Sequence, residues 1–298
     1  LLKKVEEGSV FVKEEEIVCG NGAAEVIFTL CRAVNPKRAL IPAPTFAEYG
    51  QALASMGCEL EYYMLTENDG FVLGDSYLDI LHKGLDIAFL CNPNNPTGML
   101  IPHRLLKRIL EKCRKLDILL VVDECFLDFV KEPEEYSLKR SLSGFNNLFI
   151  LKAFTKRYAM AGVRLGYGLC SDRKLMERME LCVQPWNVST MAQAAGIQAL
   201  TETEYVEEGR QLVFREAQWL KDELVRIGYK VFPSEANYIF FKGPEELFDF
   251  CLRKRILIRD CSNYPGLTRG YYRIAVKRHE ENVKLIEVLE GGILWQKQ

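Results

Sequence analysis

The residue types that could do chemistry in this sequence collect around one carboxylate, one amine and one guanidinium. The apolar run Ile118-Leu119-Leu120-Val121-Val122 ends at Asp123, with Glu124, Cys125 and Phe126 behind it. A carboxylate at the end of a buried strand either caps the next helix or answers a positive charge held in a site where the sheet opens. Downstream, Leu151-Lys152-Ala153-Phe154-Thr155-Lys156-Arg157 leads into Ala161-Gly162-Val163-Arg164-Leu165-Gly166. A lone lysine is most often a solvated surface charge. Here, however, Arg164 follows between two glycines, which lets the backbone fold back and bring a guanidinium to an anion beside the Lys156 amine.

Two turns add to this set. Gly20-Asn21-Gly22-Ala23-Ala24-Glu25 follows a short β-rich run and opens a helix, so its backbone N–H groups and helix dipole can hold a phosphate. A dinucleotide would suit a turn of this kind, but Glu25 stands where the third glycine of that fingerprint belongs. Cys91-Asn92-Pro93-Asn94-Asn95-Pro96-Thr97-Gly98 is a rigid polar turn after another apolar strand; it is either a tight loop or the means of placing Asn95 at the same sheet edge. An amine nucleophile next to a phosphate-binding arginine is what a pyridoxal phosphate (PLP) site requires, and Asp123 would pair with the protonated pyridine nitrogen.

Stepping outward, these groups need a scaffold of α/β type. Short β-rich runs alternate with amphipathic stretches from residue 16 to about residue 170, the pattern of a largely parallel, buried sheet. The predicted strands are Ile17–Cys19, Ala39–Ile41, Leu60–Leu65, Ile87–Cys91, Ile118–Asp123, Leu148–Leu151 and Tyr167–Leu169, with a helix over Arg104–Lys115. A long helix over Glu204–Ile227 is expected to link this unit to a smaller α+β one, with strands at Tyr229–Phe232, Tyr238–Phe241, Ile256–Arg259 and Tyr271–Val276, a helix at Leu247–Arg253 and a terminal helix. The expected division is a large domain over residues 1–200 and a small one over 201–298.

The bulk numbers exclude several classes. With 39 basic against 41 acidic residues, nothing global draws the chain to nucleic acid or to an anionic membrane. Ten scattered cysteines without a CxxC pair read as free core thiols, and the three histidines lack metal-ligand spacing. The first residues, Leu1–Glu7, are charged rather than signal-like, and no apolar run approaches the roughly 18 residues that span a bilayer. The expectation is a cytoplasmic protein acting on a small molecule.

Together GNGAAE, PTFAEY, NPNNPTG, the DECF strand end and TK…AGVRLGY resemble the fold-type-I PLP enzymes, in the branch that contains histidinol-phosphate aminotransferase. The resemblance runs from about residue 16 to residue 290 and keeps the family's motif order and its lysine-to-arginine spacing. It implies an aspartate-aminotransferase-like large domain with a smaller C-terminal one, and a homodimer. By position it makes Lys156 the lysine that carries the cofactor covalently, Asp123 the partner of the pyridine nitrogen and Asn95 the donor to the phenolic oxygen. Phe46 would stack on the ring; Gly22, the Ala23 and Ala24 backbone, the Thr155 hydroxyl and Arg164 would hold the phosphate; Arg273 would clamp a substrate carboxylate. The family also places an N-terminal arm and a tyrosine before the first glycine turn; neither is visible here, so an upstream segment is expected to be missing.

One departure bears on the reaction. Aminotransferases of this branch usually carry a tyrosine three residues after the aspartate, and here that residue is Phe126. Phenylalanine at that position, with Leu257-Ile258-Arg259-Asp260-Cys261-Ser262-Asn263-Tyr264-Pro265-Gly266-Leu267 and Ala275-Val276-Lys277-Arg278, resembles the L-threonine-O-3-phosphate decarboxylases of cobalamin biosynthesis. The expected substrate is a phosphorylated amino acid or amine, which calls for a second anion site; Arg259, Arg157, Lys277 and Arg278 are the candidates, Arg259 foremost because it ends an apolar strand. The competing readings are a histidinol-phosphate:2-oxoglutarate aminotransferase, a non-catalytic PLP-binding regulator on the same fold and, more remotely, a nicotinamide oxidoreductase.

Overall fold

The predicted alternation closes into a seven-stranded sheet with strand order β1-β7-β6-β5-β4-β2-β3. The computed structural model describes Val5 and residues 12–296, so the charged opening Leu1–Glu7 lies, apart from Val5, outside the described residues. In chain order the sheet unit comprises β1 (Ile17–Gly20), α1 (Ala23–Val34), β2 (Arg38–Ala43), α2 (Ala47–Ser55), β3 (Glu59–Met64), α3 (Tyr77–Ile80), β4 (Ile87–Cys91), α4 (His103–Leu116), β5 (Leu119–Asp123), β6 (Leu148–Ala153), α5 (Phe154–Arg157) and β7 (Gly166–Cys170). Helices α6 (Arg173–Cys182), α7 (Thr190–Ala199) and the long α8 (Thr203–Arg226) follow. A second, four-stranded sheet has the order β10-β11-β9-β8, made by β8 (Lys230–Val231), β9 (Tyr238–Lys242), β10 (Arg259–Asp260) and β11 (Tyr271–Ala275), with α9 (Leu247–Arg253) and α10 (His279–Gln296) beside it.

Both faces of the large sheet are covered, which is why its strands are continuous apolar runs rather than alternating ones. Along β4, Ala88 and Leu90 join one core while Ile87, Phe89 and Cys91 join the other, following the two-residue period of a strand. The first core also takes in Phe232, Phe240 and Tyr271 of the small sheet. Phe71 packs edge-on against these three rings, at centroid distances of 5.1, 5.4 and 5.8 Å, so the two sheets share buried apolar surface.

Strands β2 to β6 pair in parallel, whereas β7 returns antiparallel to β6, with Gly166 opposite Ala153. Strand β1 then pairs antiparallel with β7, with Gly20 opposite Gly166. The carboxyl ends of β1, β2, β4, β5 and β6 and the amino end of β7 therefore meet at one edge, where ligands of open α/β sheets collect. One predicted strand shrinks. Of Ile256–Arg259 only Arg259 pairs, joined by Asp260, although Ile256 and Ile258 still turn into the small-sheet core and Leu257 faces solvent at 77% exposure. Similarly, Tyr229–Phe232 is reduced to a Lys230–Val231 ladder.

Candidate active site

The turn after β1 is shaped by Gly22, whose φ of +84° is a backbone conformation that side-chain-bearing residues rarely adopt. It is the N-cap of α1 and supplies no side chain to the cap, so the first N–H groups of the helix, those of Ala23 and Ala24, remain available to an anion. Space also requires glycine here: a Cβ on Gly22 would stand 2.8 Å from Arg164 Nη2. Gly166 is equally confined, with Ala23 N 2.4 Å from where its Cβ would be. The connection from β6 to β7 thus lays Arg164 over the glycine turn. Glu25, the residue that breaks the dinucleotide fingerprint, folds back on its own turn, accepting from Asn21 N at 2.7 Å and from Asn187 Nδ2 at 3.0 Å.

Asp123 ends β5 and is buried. Its Oδ1 accepts from the Cys125 N–H at 2.9 Å and its Oδ2 from the Tyr49 hydroxyl at 2.5 Å. Burial, and then the charge of Asp123, push the Tyr49 hydroxyl well above its ordinary pKa, so it keeps its proton and donates. Tyr49 is stacked on Phe89 at 4.9 Å and meets Phe46 edge-on at 5.5 Å. Nothing in the strand pattern singles out Tyr49; the available signal was its place in PTFAEY, one helical turn after Phe46 on α2.

Lys156 lies within the short α5, next to the buried Thr155, and its Nζ lies 5.3 Å from the centre of the Phe126 ring. Phe126 in turn packs edge-on against Tyr238 at 5.0 Å, and the Arg273 guanidinium carbon lies 4.9 Å from the Tyr238 ring. Arg273 Nη1 donates to Asn95 Oδ1, while the Tyr238 hydroxyl donates to Asn94 O at 2.8 Å. Contacts therefore run from Lys156 through Phe126 and Tyr238 to Arg273 and Asn95. Tyr238, an aromatic within an apolar strand, carries no sequence signal that separates it from core.

Lys156, Phe126, Tyr238, Arg273, Arg259 and Lys277 line one cleft of about 930 Å³ between the sheets. Arg259 and Arg273 are direct partners on β10 and β11, two like charges side by side. Each guanidinium is met by a different ring, Arg259 by Tyr264 at 5.4 Å and Arg273 by Tyr238. Arg259 Nη2 donates to Asn263 Oδ1 at 3.1 Å, and Lys277 Nζ bonds Glu281 Oε1 at 2.9 Å. Arg157 is brought elsewhere: it pairs with Asp128 at 3.0 Å and lines a separate cavity with Lys152 and Tyr167. Arg278 is not among the described residues that line the cleft.

Residues 1–289 match the family described as aminotransferase class I and II. The chain belongs to that family. It is 40% identical over 286 residues to a threonine-phosphate decarboxylase of Salmonella typhimurium, covering 92% of this chain and 76% of that one. It is 30% identical over 299 residues to a histidinol-phosphate aminotransferase of Methanococcus aeolicus, covering 97% and 79%. Among solved structures, the histidinol-phosphate aminotransferase from Clostridium acetobutylicum superposes with a TM-score of 0.88 at 30% identity, covering 93% of this chain and 84% of that one.

As a member of this family the chain is a PLP-dependent enzyme with the aspartate-aminotransferase-like fold. The residues fit the cofactor: the bare Cα of Gly22 under Arg164, the free amino end of α1 and a buried carboxylate at a strand end match a phosphate at one end and a cationic ring nitrogen at the other. The ten cysteines are all free, and among the described residues no cluster of ligating side chains could hold a metal ion. No helix among the described residues is long and apolar enough to cross a membrane.

Proposed function

We propose that the chain decarboxylates L-threonine O-3-phosphate to (R)-1-amino-2-propanol O-2-phosphate and CO₂, as a step of cobalamin biosynthesis. The observation that carries this reading is Phe126, a ring without a hydroxyl lying beside the Lys156 amine and packed on Tyr238. The 40% identity to a threonine-phosphate decarboxylase supports it. The Arg259–Arg273 pair is compatible with it, since this substrate brings both a carboxylate and a phosphate to one cleft.

In this proposal Lys156 carries the cofactor covalently, Asp123 meets its ring nitrogen, Phe46 stacks on the ring, and Gly22, Ala23, Ala24, Thr155 and Arg164 hold its phosphate. Asn95, whose Oδ1 is taken by Arg273, offers its amide to the phenolic oxygen. When bound, the cofactor accepts the electron pair that CO₂ leaves on Cα. Arg273 decides which bond breaks. By fixing where the substrate carboxylate lies, Arg273 would select whether the Cα–carboxylate bond or the Cα–H bond is the one given up. Arg259 takes the substrate phosphate. Lys156 Nζ would be the group that returns a proton to Cα once CO₂ has left.

A homodimer belongs to the proposal. Leu181, Trp186 and Met191, on and between α6 and α7, are 88%, 95% and 76% exposed, apolar side chains that a second copy would cover. The division at residue 200, where α8 is about to begin, likewise stands as a proposal.

The second reading, a histidinol-phosphate aminotransferase, is supported by the 30% identity over 299 residues to the Methanococcus aeolicus enzyme. The two are separated by incubating the PLP-loaded protein with L-threonine O-3-phosphate and, in parallel, with histidinol phosphate plus 2-oxoglutarate. CO₂ and aminopropanol phosphate without glutamate are expected. Glutamate formed from histidinol phosphate would establish the aminotransferase instead.

A further inference from the structure

The Tyr49–Asp123 contact is unlike the other contacts of the site. Tyr49 is completely buried on α2, and its hydroxyl donates to Asp123 Oδ2 at 2.5 Å, with the Cys91 thiol beside it. Its ring is fixed on two sides, stacked on Phe89 of β4 and edge-on to Phe46 at the start of α2. Asp123 Oδ1 is held separately by the Cys125 N–H at 2.9 Å. Each oxygen of the carboxylate thus has one fixed donor from a rigid element. Those two donors set the rotation of the carboxylate about its Cβ–Cγ bond, because turning it breaks both charge-assisted bonds at once. A phenol in a packed aromatic slot is a stiff donor, and it does not titrate away at ordinary pH while Asp123 faces it.

We propose that Tyr49 is a positioning residue for the cofactor: its hydroxyl fixes the Asp123 carboxylate in the orientation that meets the protonated ring nitrogen. Its ring couples that orientation to Phe46, so that one tyrosine sets both the residue assigned to stack on the cofactor and the residue assigned to pair with it. This inference rests on the role proposed above for Asp123.

The test is cofactor binding to the apo-protein, followed by fluorescence titration with PLP, in wild type, Tyr49→Phe, Asp123→Asn and the double variant. Tyr49→Phe keeps the ring and its packing and removes only the hydroxyl. Loss of one hydrogen bond to a charged group is expected to weaken PLP binding by about ten-fold or more. In the Asp123→Asn background the same change should move the dissociation constant by less than about two-fold, because the hydroxyl then has no charge to orient. Unchanged PLP affinity in Tyr49→Phe, with Asp123→Asn binding weakly, would overturn the inference while leaving the role of Asp123 intact. An equal loss in both backgrounds would also overturn it, since Tyr49 would then act through packing rather than through Asp123. If Asp123→Asn binds PLP as wild type does, the role assigned to Asp123 itself fails. Urea unfolding of the four apo-proteins accompanies the titrations, and a Tyr49→Phe protein that loses stability without losing PLP affinity has a structural tyrosine only.

Discussion

Glu67, in the turn after β3, is where the two sheets are pinned by charge. It accepts from Lys230 Nζ at 2.7 Å, from Lys242 Nζ at 2.8 Å and from the Tyr271 hydroxyl, all three donors belonging to the small sheet. These hydrogen bonds hold its carboxyl at about 2 instead of 4.5. Full linkage of such a depression corresponds to about 3.4 kcal/mol of stability at neutral pH. Lys230 and Lys242 are 58% and 42% exposed. Solvent screening of such half-exposed partners brings the expectation for Glu67→Gln down to about 1–2 kcal/mol. Because the folded-state carboxyl is depressed, this stabilisation is fully present above about pH 4.5 and is lost as pH falls toward about 2. The assay is urea unfolding of wild type and Glu67→Gln at a series of pH values from 7 downward. The gap between the two should be widest at pH 7 and narrow steadily below pH 4.5. A gap that is absent at pH 7, or that stays constant into the acid range, would refute the reasoning.

Borohydride reduction of the PLP-loaded protein should fix the cofactor on Lys156, detected by peptide mass mapping; Lys156→Ala should abolish the adduct, and an adduct at another lysine would defeat the assignment. Gly22→Ala places a Cβ against Arg164 in a positive-φ backbone, a strain of about 1–2 kcal/mol, so PLP should bind roughly ten-fold more weakly by titration. Arg259→Ala and Arg273→Ala should each raise KM for the phosphorylated substrate by about 10–100-fold. Thermal melting of the substrate-free protein should be nearly unchanged in Arg259→Ala but lowered in Arg273→Ala, which leaves the buried Asn95 Oδ1 without its donor. Phe126→Tyr returns a hydroxyl beside Lys156 and should shift product partitioning from CO₂ toward amino transfer; unchanged partitioning would remove Phe126 from the argument for decarboxylation.

What the sequence determined by itself is local. The strand that ends at Asp123 is legible because five apolar residues in a row can bury both faces only inside a covered parallel sheet, and the glycine turn before Ala23 because a strand, a glycine and a helix start stand in immediate succession. The Lys156-to-Arg164 spacing is legible for the same reason, since it spans one hairpin, from β6 into β7. Tertiary structure alone decided which far-apart residues share a wall. Tyr49 reaches Asp123 only because α2 lies on the face of the large sheet whose core it shares with Phe89 and Val121, and Tyr238 meets Phe126 only because the small sheet closes against the large one. It also separated two arginines that look alike in sequence: Arg259 faces the cleft because β10 pairs with β11, whereas Arg157, one residue past Lys156, is drawn to Asp128. Periodicity reports which face of an element is buried, but it carries nothing about which other element buries it.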